Sequence, residues 1–288
     1  LLMHRLDHLH LTDMHHALRV GAVNLAMLHS WVPKAEYYFS YNAVSWSIST
    51  EFGFYLMFPF LIHRWEKSWW WKLALTLGLA ATMCAIARMT GLKSYDGNDA
   101  HWRLVNSTGL IYINPLARVF EFTLGMCTAL LWKKIGPKLR LGTGSKRVRM
   151  RLIGTVVELL VLAIVVAVMR STNTVIPWVQ HISWMGAEGA TWLRQGGLVV
   201  PVFALLIFIM ATEWGCVSLM LSAPFCVLLG EISYSVYLVH QVLLREYVWY
   251  PDVMKHFDWQ PLFAIYVVVV LMTSHLIWAT VERPMRRG

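Results

Sequence analysis

The chain has 288 residues, 57% of them hydrophobic and 14% charged, with a net charge of +9 and a mean hydropathy of +0.52. Soluble domains carry about 25% charged residues, so this composition excludes an ordinary water-solvated fold. The Lys and Arg residues fall in short gaps between apolar stretches rather than along one face, which argues against nucleic acid as a partner and for membrane topology as the source of the charge.

The chain opens with LLMHRLDHLHLTDMHH, which lacks the order of a signal peptide and reads as a broken start. His4, His8, His10, His15 and His16 lack the surrounding pattern of a metal site, and no metal is expected there. Apolar runs follow near 14–31, 45–63, 69–89, 116–132, 152–170, 198–212, 224–244 and 261–281. Stretches of about 17 to 23 residues, which recur along nearly the whole chain, are long enough to cross a hydrocarbon core about 30 Å thick at about 1.5 Å per residue. The first is the weakest, because Arg19 and His29 interrupt it, and the fifth, LIGTVVELLVLAIVVAVMR, is the strongest. The expectation is an all-α fold, a polytopic transmembrane helical bundle of about eight helices forming a single domain over residues 1–288. Pro59 and Pro201 are expected to interrupt their segments. Cys84, Cys127, Cys216 and Cys226 lack CxxC spacing and read as packing residues.

Loop 133–151, KKIGPKLRLGTGSKRVRMR, is strongly basic and has no acidic residue, so the positive-inside rule places it in the cytoplasm. Alternation from there places His63, Arg64, Lys67 and the tail ERPMRRG on the same side, with both chain ends cytoplasmic. The loops near 32–44, 90–115, 171–197 and 245–260, rich in Trp, Tyr, Asn, Gly and Pro, then face the other side.

An ionisable group within a span costs about 2.5 to 3.5 kcal/mol and points to a bundle interior or a wet cavity. In SWSISTEFGFYLMFPFLI, Ser47, Glu51 and Tyr55 recur every fourth residue and share one helix face. In NPLARVFEFTLGM, Arg118 and Glu121 are spaced to pair, and Gly125 is expected to allow a close helix contact. That pair reads equally as a clasp between helices or as a site for an anionic ligand. In LLGEISYSVYLVHQVLL, Ser233, Tyr237 and His240 form a stripe with Tyr234 and Glu231 beside it. Imidazole suits proton transfer near neutral pH, although a hydrogen-bonded structural histidine is the commoner case. Glu282 closes the last span in VERPMRR, with Pro284 behind it. No GxSxG, HExxH, P-loop or GxGxxG in a strand-helix setting occurs, so any chemistry must be assembled from separate helices.

Four of these segments resemble, in order, the signatures of the membrane-bound acyltransferase 3 family, which modifies surface carbohydrates. WSISTEFGFYLMFPFLI resembles its Trp-Ser-x-Ser-x-Glu segment, and RVFEFTLGM its Arg-x-x-Glu-Phe-x-x-Gly helix. GEISYSVYLVH resembles its Gly-x-x-Ser-Tyr-x-x-Tyr-Leu-x-His stretch, and VERPMRR its closing Glu-x-Pro.

The resemblance implies transfer of an acyl group, most often acetyl, from a cytoplasmic donor such as acyl-CoA to a sugar hydroxyl of a surface or exported carbohydrate or glycolipid. It implies no bound cofactor, with acyl-CoA as co-substrate, a lipid bilayer as partner, and a multi-pass protein of a bacterial-type inner (plasma) membrane. Carried over, Glu51 and His240 are the expected catalytic pair, with Trp46, Ser47, Ser49, Tyr55, Arg118, Glu121, Ser233, Tyr234 and Tyr237 binding substrate or lining the cavity, and Glu282 structural. The family's first helix carries an essential Arg and His, and no such helix is recognisable in this chain, so the first two helices of the domain are expected to be missing. A membrane transporter and a catalytically inactive remnant of the fold are the rival readings.

Overall fold

A computed structural model describes residues 11–139, 146–182, 185–249 and 259–287. Among the described residues the elements are helical, with no strand beyond an isolated antiparallel bridge between Lys34 and Val105. The chain divides into two units, Leu1–Ser40 with Trp46–Met220, and Tyr41–Ser45 with Leu221–Gly288.

In the first unit, α1 (Leu11–Leu25) is followed by a 3-10 turn (His29–Trp31) and the short α2 (Ala35–Tyr38). The expected span 14–31 is therefore not one helix. The chain turns at Met27, with φ of 57°, and His29 is buried in the 3-10 turn. Helices α3 (Trp46–Ile62) and α4 (Trp65–Met89) are separated by a two-residue turn in which Arg64 takes the left-handed conformation. Pro59 lies inside α3 without ending it. Helix α4 stops at a glycine cap: Gly91 has φ of 65°, its amide donates to Arg88 O at 3.1 Å, and the Leu92 amide donates to Ala87 O at 3.0 Å.

Helix α5 (Pro115–Ile135) follows a π-helical turn (Thr108–Ile113) and starts at a built cap. Asn114 Oδ1 accepts from the Leu116 amide at 2.9 Å, and Pro115 fills a first-turn position where no amide is needed. Helix α6 (Lys146–Gln180) has 35 residues, roughly 52 Å of helix, so its ends extend past a hydrocarbon core of about 30 Å. Helix α7 (Gly186–Trp192) runs through a second π turn (Leu193–Gly197) to α8 (Val200–Met210), where Pro201 sits in the first turn and starts the helix instead of breaking it. The short α9 (Cys216–Leu221) completes the unit's helices.

Hydroxyl pairs and glycines set the helix contacts. Thr76 Oγ1 and Thr123 Oγ1 lie 2.8 Å apart between α4 and α5, both buried, and Thr50 Oγ1 donates to Ile113 O at 2.8 Å. Such hydrogen bonds are the usual clasps where apolar packing confers no preference over lipid. The close approach of α3 to α5 is at Gly53, where a Cβ would come within 2.8 Å of Pro115. Gly125 does not play the part expected of it: it is exposed, and a Cβ there would meet nothing within 4 Å.

The second unit holds the 3-10 turn Ala43–Ser45, α10 (Pro224–Trp249) and α11 (Trp259–Ile277), which leads through a third π turn (Trp278–Glu282) into α12 (Arg283–Arg287). Val270, Ser274 and Trp278, spaced by four, are buried along one face of that last segment. Ser235 of α10 donates to Glu282 Oε1, and Arg286 donates to Glu282 Oε2 at 3.3 Å.

Among the described residues five helical stretches are long and apolar enough to cross a membrane: Trp65–Met89, Val148–Gln180, Gly186–Met210, Pro224–Arg245 and Gln260–Arg286. Helix α3, with 17 residues, and α5, with Arg118, Glu121, Lys133 and Lys134, are the shorter and the more polar of the remaining long helices.

Candidate functional site

The first polar centre is built from α5, the α3 start and two π turns. Arg118 and Glu121 stand one turn apart, and Arg118 Nη2 donates to Glu121 Oε2 at 2.6 Å. The Arg118 guanidinium lies over the Tyr112 ring at 5.1 Å and the Trp46 ring at 5.7 Å, and the two rings are themselves 4.9 Å apart. Arg118 Nη1 also reaches Tyr112 O at 3.4 Å. On the carboxylate side, a Cβ at Gly196 would come within 2.9 Å of Glu121 Oε1, so the second π turn passes close to it. Trp192, just before that turn, donates from Nε1 to Ala117 O at 3.0 Å and fixes the turn against α5. The arrangement can hold a guanidinium rigidly, with aromatic faces offsetting part of its lost hydration.

Helix α3 carries the rest of the signature. Ser49 is fully buried: its Oγ donates to Met27 O at 2.7 Å, lies 2.7 Å from Ser30 Oγ and accepts from the Ser30 amide at 3.1 Å. Its hydroxyl is thus committed to the turn after α1. Ser47 is half-buried, while Glu51 and Tyr55 are exposed, so the predicted stripe stands on the open side of α3. Among the described residues, the Glu51 carboxylate has no ion-pair partner.

The second centre lies along α10, in the other unit. His240 Nδ1 is 2.6 Å from Tyr237 O and 3.2 Å from Val236 O. Carbonyl oxygens can only accept, so Nδ1 carries the proton in the neutral ring and Nε2 holds the lone pair. Tyr266 donates its hydroxyl to His240 O at 2.8 Å, and the Tyr237 ring lies 5.8 Å from the imidazole. Tyr237 OH donates to Val44 O at 3.2 Å, and Asn42 Nδ2 to Leu238 O at 3.0 Å, tying the segment before α3 to α10. Ser233 is exposed and donates to Gly230 O at 2.7 Å; Tyr234 is also exposed.

Two further charged residues sit in spans and escape a reading that ranks segments by average hydropathy. Glu158 of α6 is fully buried and accepts from the Gly215, Val217 and Ser218 amides at 2.9, 3.0 and 3.4 Å, and from Ser218 Oγ. It caps α9. Lys72 of α4, 5% exposed, donates to Leu61 O at 2.8 Å and His63 O at 2.5 Å and lies over the Trp71 and Trp65 rings at 5.5 and 5.9 Å. The cost of a charge in a span, applied to every such residue, would have singled out both. Tyr112 and Gly196 carry no signal of that kind.

Outside the spans, Glu36 is buried, with His16 Nε2 at 2.8 Å, Arg103 Nε at 3.5 Å and Lys34 Nζ at 3.9 Å. Burial pushes the Tyr38 hydroxyl well above the usual tyrosine range, with Asn106 accepting its proton at 2.8 Å. Of the N-terminal histidines, His4, His8 and His10 lie outside the described residues, and His16 is engaged by Glu36.

The model of an acyltransferase domain, that of the acyltransferase 3 family, matches residues 16–280. The chain belongs to this family. Three of its four sequence signatures fall inside the matched region, and the closing Glu282–Pro284 lies just beyond it. Over 112 residues the chain is 30% identical to acyltransferase MdmB of Streptomyces mycarofaciens, a stretch that covers 38% of this chain and 28% of that relative. No solved structure matches the chain. Family membership and the five long apolar helices together mark an integral membrane protein. Within this acyltransferase fold, Arg118 joins Trp46 and Glu121 in one centre, while Tyr237 and His240 share another.

Proposed function

We propose that the protein transfers an acyl group, acetyl foremost, from cytoplasmic acyl-CoA to a sugar hydroxyl of a surface or exported carbohydrate at a bacterial-type inner membrane. The observation that carries this reading is the His240 tautomer: Nδ1 is occupied as a donor, which leaves Nε2 as a proton acceptor within the signature stretch. In the reaction, Nε2 takes the proton of the acceptor hydroxyl, whose oxygen forms a bond to the thioester carbonyl carbon. The carbon–sulfur bond breaks, and the imidazolium returns the proton to the departing thiolate. Glu51, exposed and without an ion-pair partner among the described residues, is suited to orient the acceptor by accepting a hydrogen bond. Donor approach is favoured by the basic loop 133–151, on the side that the positive-inside rule assigns to the cytoplasm.

The test offers labelled acetyl-CoA to membranes containing the chain and follows label into membrane carbohydrate while free thiol is counted. Stoichiometric thiol and label incorporation are expected, with His240→Ala lowering both by about 10²- to 10⁴-fold. Carbohydrate uptake without thiol release would instead mark a transporter and defeat the proposal.

A further inference from the structure

Between α3 and α5, at the end where α3 turns into α4, lies a groove of about 960 Å³. Its floor is apolar, formed by Phe58 and Ile62 from α3 and by Met126, Ala129 and Leu130 from α5. Its charged residues, Arg64, Glu66, Lys67 and Lys133, gather at one end. Glu66 Oε1 accepts from Lys133 Nζ at 2.8 Å, which neutralises that lysine. Arg64 and Lys67 remain, both exposed and, among the described residues, without an acidic partner.

The charged end is built rather than incidental. Arg64 holds the left-handed conformation, with φ of 51°, which non-glycine residues seldom adopt. The turn is fastened by Ser68 Oγ donating to Arg64 O at 2.9 Å and by Lys72 Nζ donating to His63 O at 2.5 Å. Both clasps come from α4, one or two turns into the helix. The turn thus places Arg64 in the groove lining.

We infer that this groove binds an anionic membrane phospholipid, with the phosphodiester between Arg64 and Lys67 and an acyl chain along Phe58, Ile62 and Leu130. An apolar length ending in two unneutralised cations complements an amphipath with a single compact negative head. The groove lining has no Asn, Gln, Ser or Thr side chain to read a nucleobase, and its one aromatic at the charged end, Trp65, is buried and offers little open ring face for stacking, which favours a lipid over a nucleotide-bearing donor. Basic pockets between helices at the headgroup level are a general means of holding such lipids.

The inference is independent of the proposed acyl transfer and is tested without it. The full chain, purified in detergent, is mixed with equal amounts of phosphatidylglycerol and phosphatidylcholine and examined by native mass spectrometry. One phosphatidylglycerol is expected to be retained over phosphatidylcholine by at least about fivefold, and Arg64→Gln with Lys67→Gln should abolish the preference. Ala129→Trp, which fills the floor and leaves the charge unchanged, should abolish retention as well. Equal retention of the two lipids, or retention that survives Ala129→Trp, overturns the inference. So does displacement of the lipid by equimolar palmitoyl-CoA, which would give the groove to the donor. Should the variants fail to fold, the lipid preference and the competition on the unaltered chain decide the matter.

Discussion

Arg118 and Glu121 form a 2.6 Å ion pair whose guanidinium also covers the rings of Trp46 and Tyr112, so a single side chain joins two of the family signatures. Both partners are 19% exposed, sheltered enough that neither is well solvated when left alone. Removing one partner should therefore cost more than removing both. Glu121→Ala is expected to lower stability in detergent by about 3 kcal/mol, and Arg118→Leu with Glu121→Leu by less than either single change. Thermal unfolding of the three variants gives the comparison. Additive losses would show that the pair is not coupled.

Glu158 offers a sharper case, because its carboxylate receives four hydrogen bonds while fully buried. Glu158→Ala leaves three amides without this acceptor, while the Ser218 hydroxyl keeps Gly215 O at 3.3 Å, at a cost of about 1 to 3 kcal/mol for each amide that water cannot reach. A loss of at least about 3 kcal/mol is expected, with α9 detaching from α6. Gly215→Ala should mimic it, since a Cβ at that position would collide with the Glu158 carboxylate. Proteolysis within residues 212–222 of each variant, compared with the unaltered chain, reports the detachment.

The helices were legible because lipid imposes long apolar runs, and the ion pair because residues three apart on a helix must be neighbours. Ser49 was legible as part of a signature but not as a clasp, because its partners, Ser30 and Met27, come from a turn that sequence periodicity takes for continuing helix. Among the described residues four non-glycines turn with positive φ, Met27, Tyr41, Arg64 and Glu213, and none is a residue type that announces a turn. Gly125 misled for the opposite reason: a small residue permits close packing but does not say which helix, if any, arrives. The π turns that bring Tyr112 and Gly196 to Arg118 and Glu121 depend on tertiary contacts and leave no periodic trace.

Asp96 gives a pH dependence confined to the loop after α4. The Asn98 amide, donating at 3.0 Å, and then His101, at 3.0 Å, hold its carboxyl below the usual range. A depressed folded value contributes stability above the unfolded value, about 3.9, and that contribution is lost as pH falls through the folded value. The loop is thus expected to loosen below about pH 4. Amide exchange at Asn98 should accelerate relative to its intrinsic rate below that point. Asp96→Asn should remove the acid dependence, and an unchanged profile would place its origin elsewhere.

Lys72 sets two opposing effects against each other. Burying an ammonium at 5% exposure is costly, which argues that an apolar replacement would stabilise α4. Against that, its Nζ serves two carbonyls, Leu61 O and His63 O, at the end of α3, where backbone acceptors lack helical partners and the helix dipole favours positive charge. Hydrogen bonds from a charged donor contribute about 1.5 to 3 kcal/mol each, and the two indole faces add to them. After replacement Leu61 O would lose its Lys72 donor and His63 O would keep only Ser68 Oγ at 3.4 Å, so the second effect should win. Lys72→Met is expected to lose about 2 kcal/mol in thermal unfolding, and the left-handed turn at Arg64 should relax with it. A more stable Lys72→Met protein would mean that water reaches those carbonyls and that the turn is held by Ser68 alone.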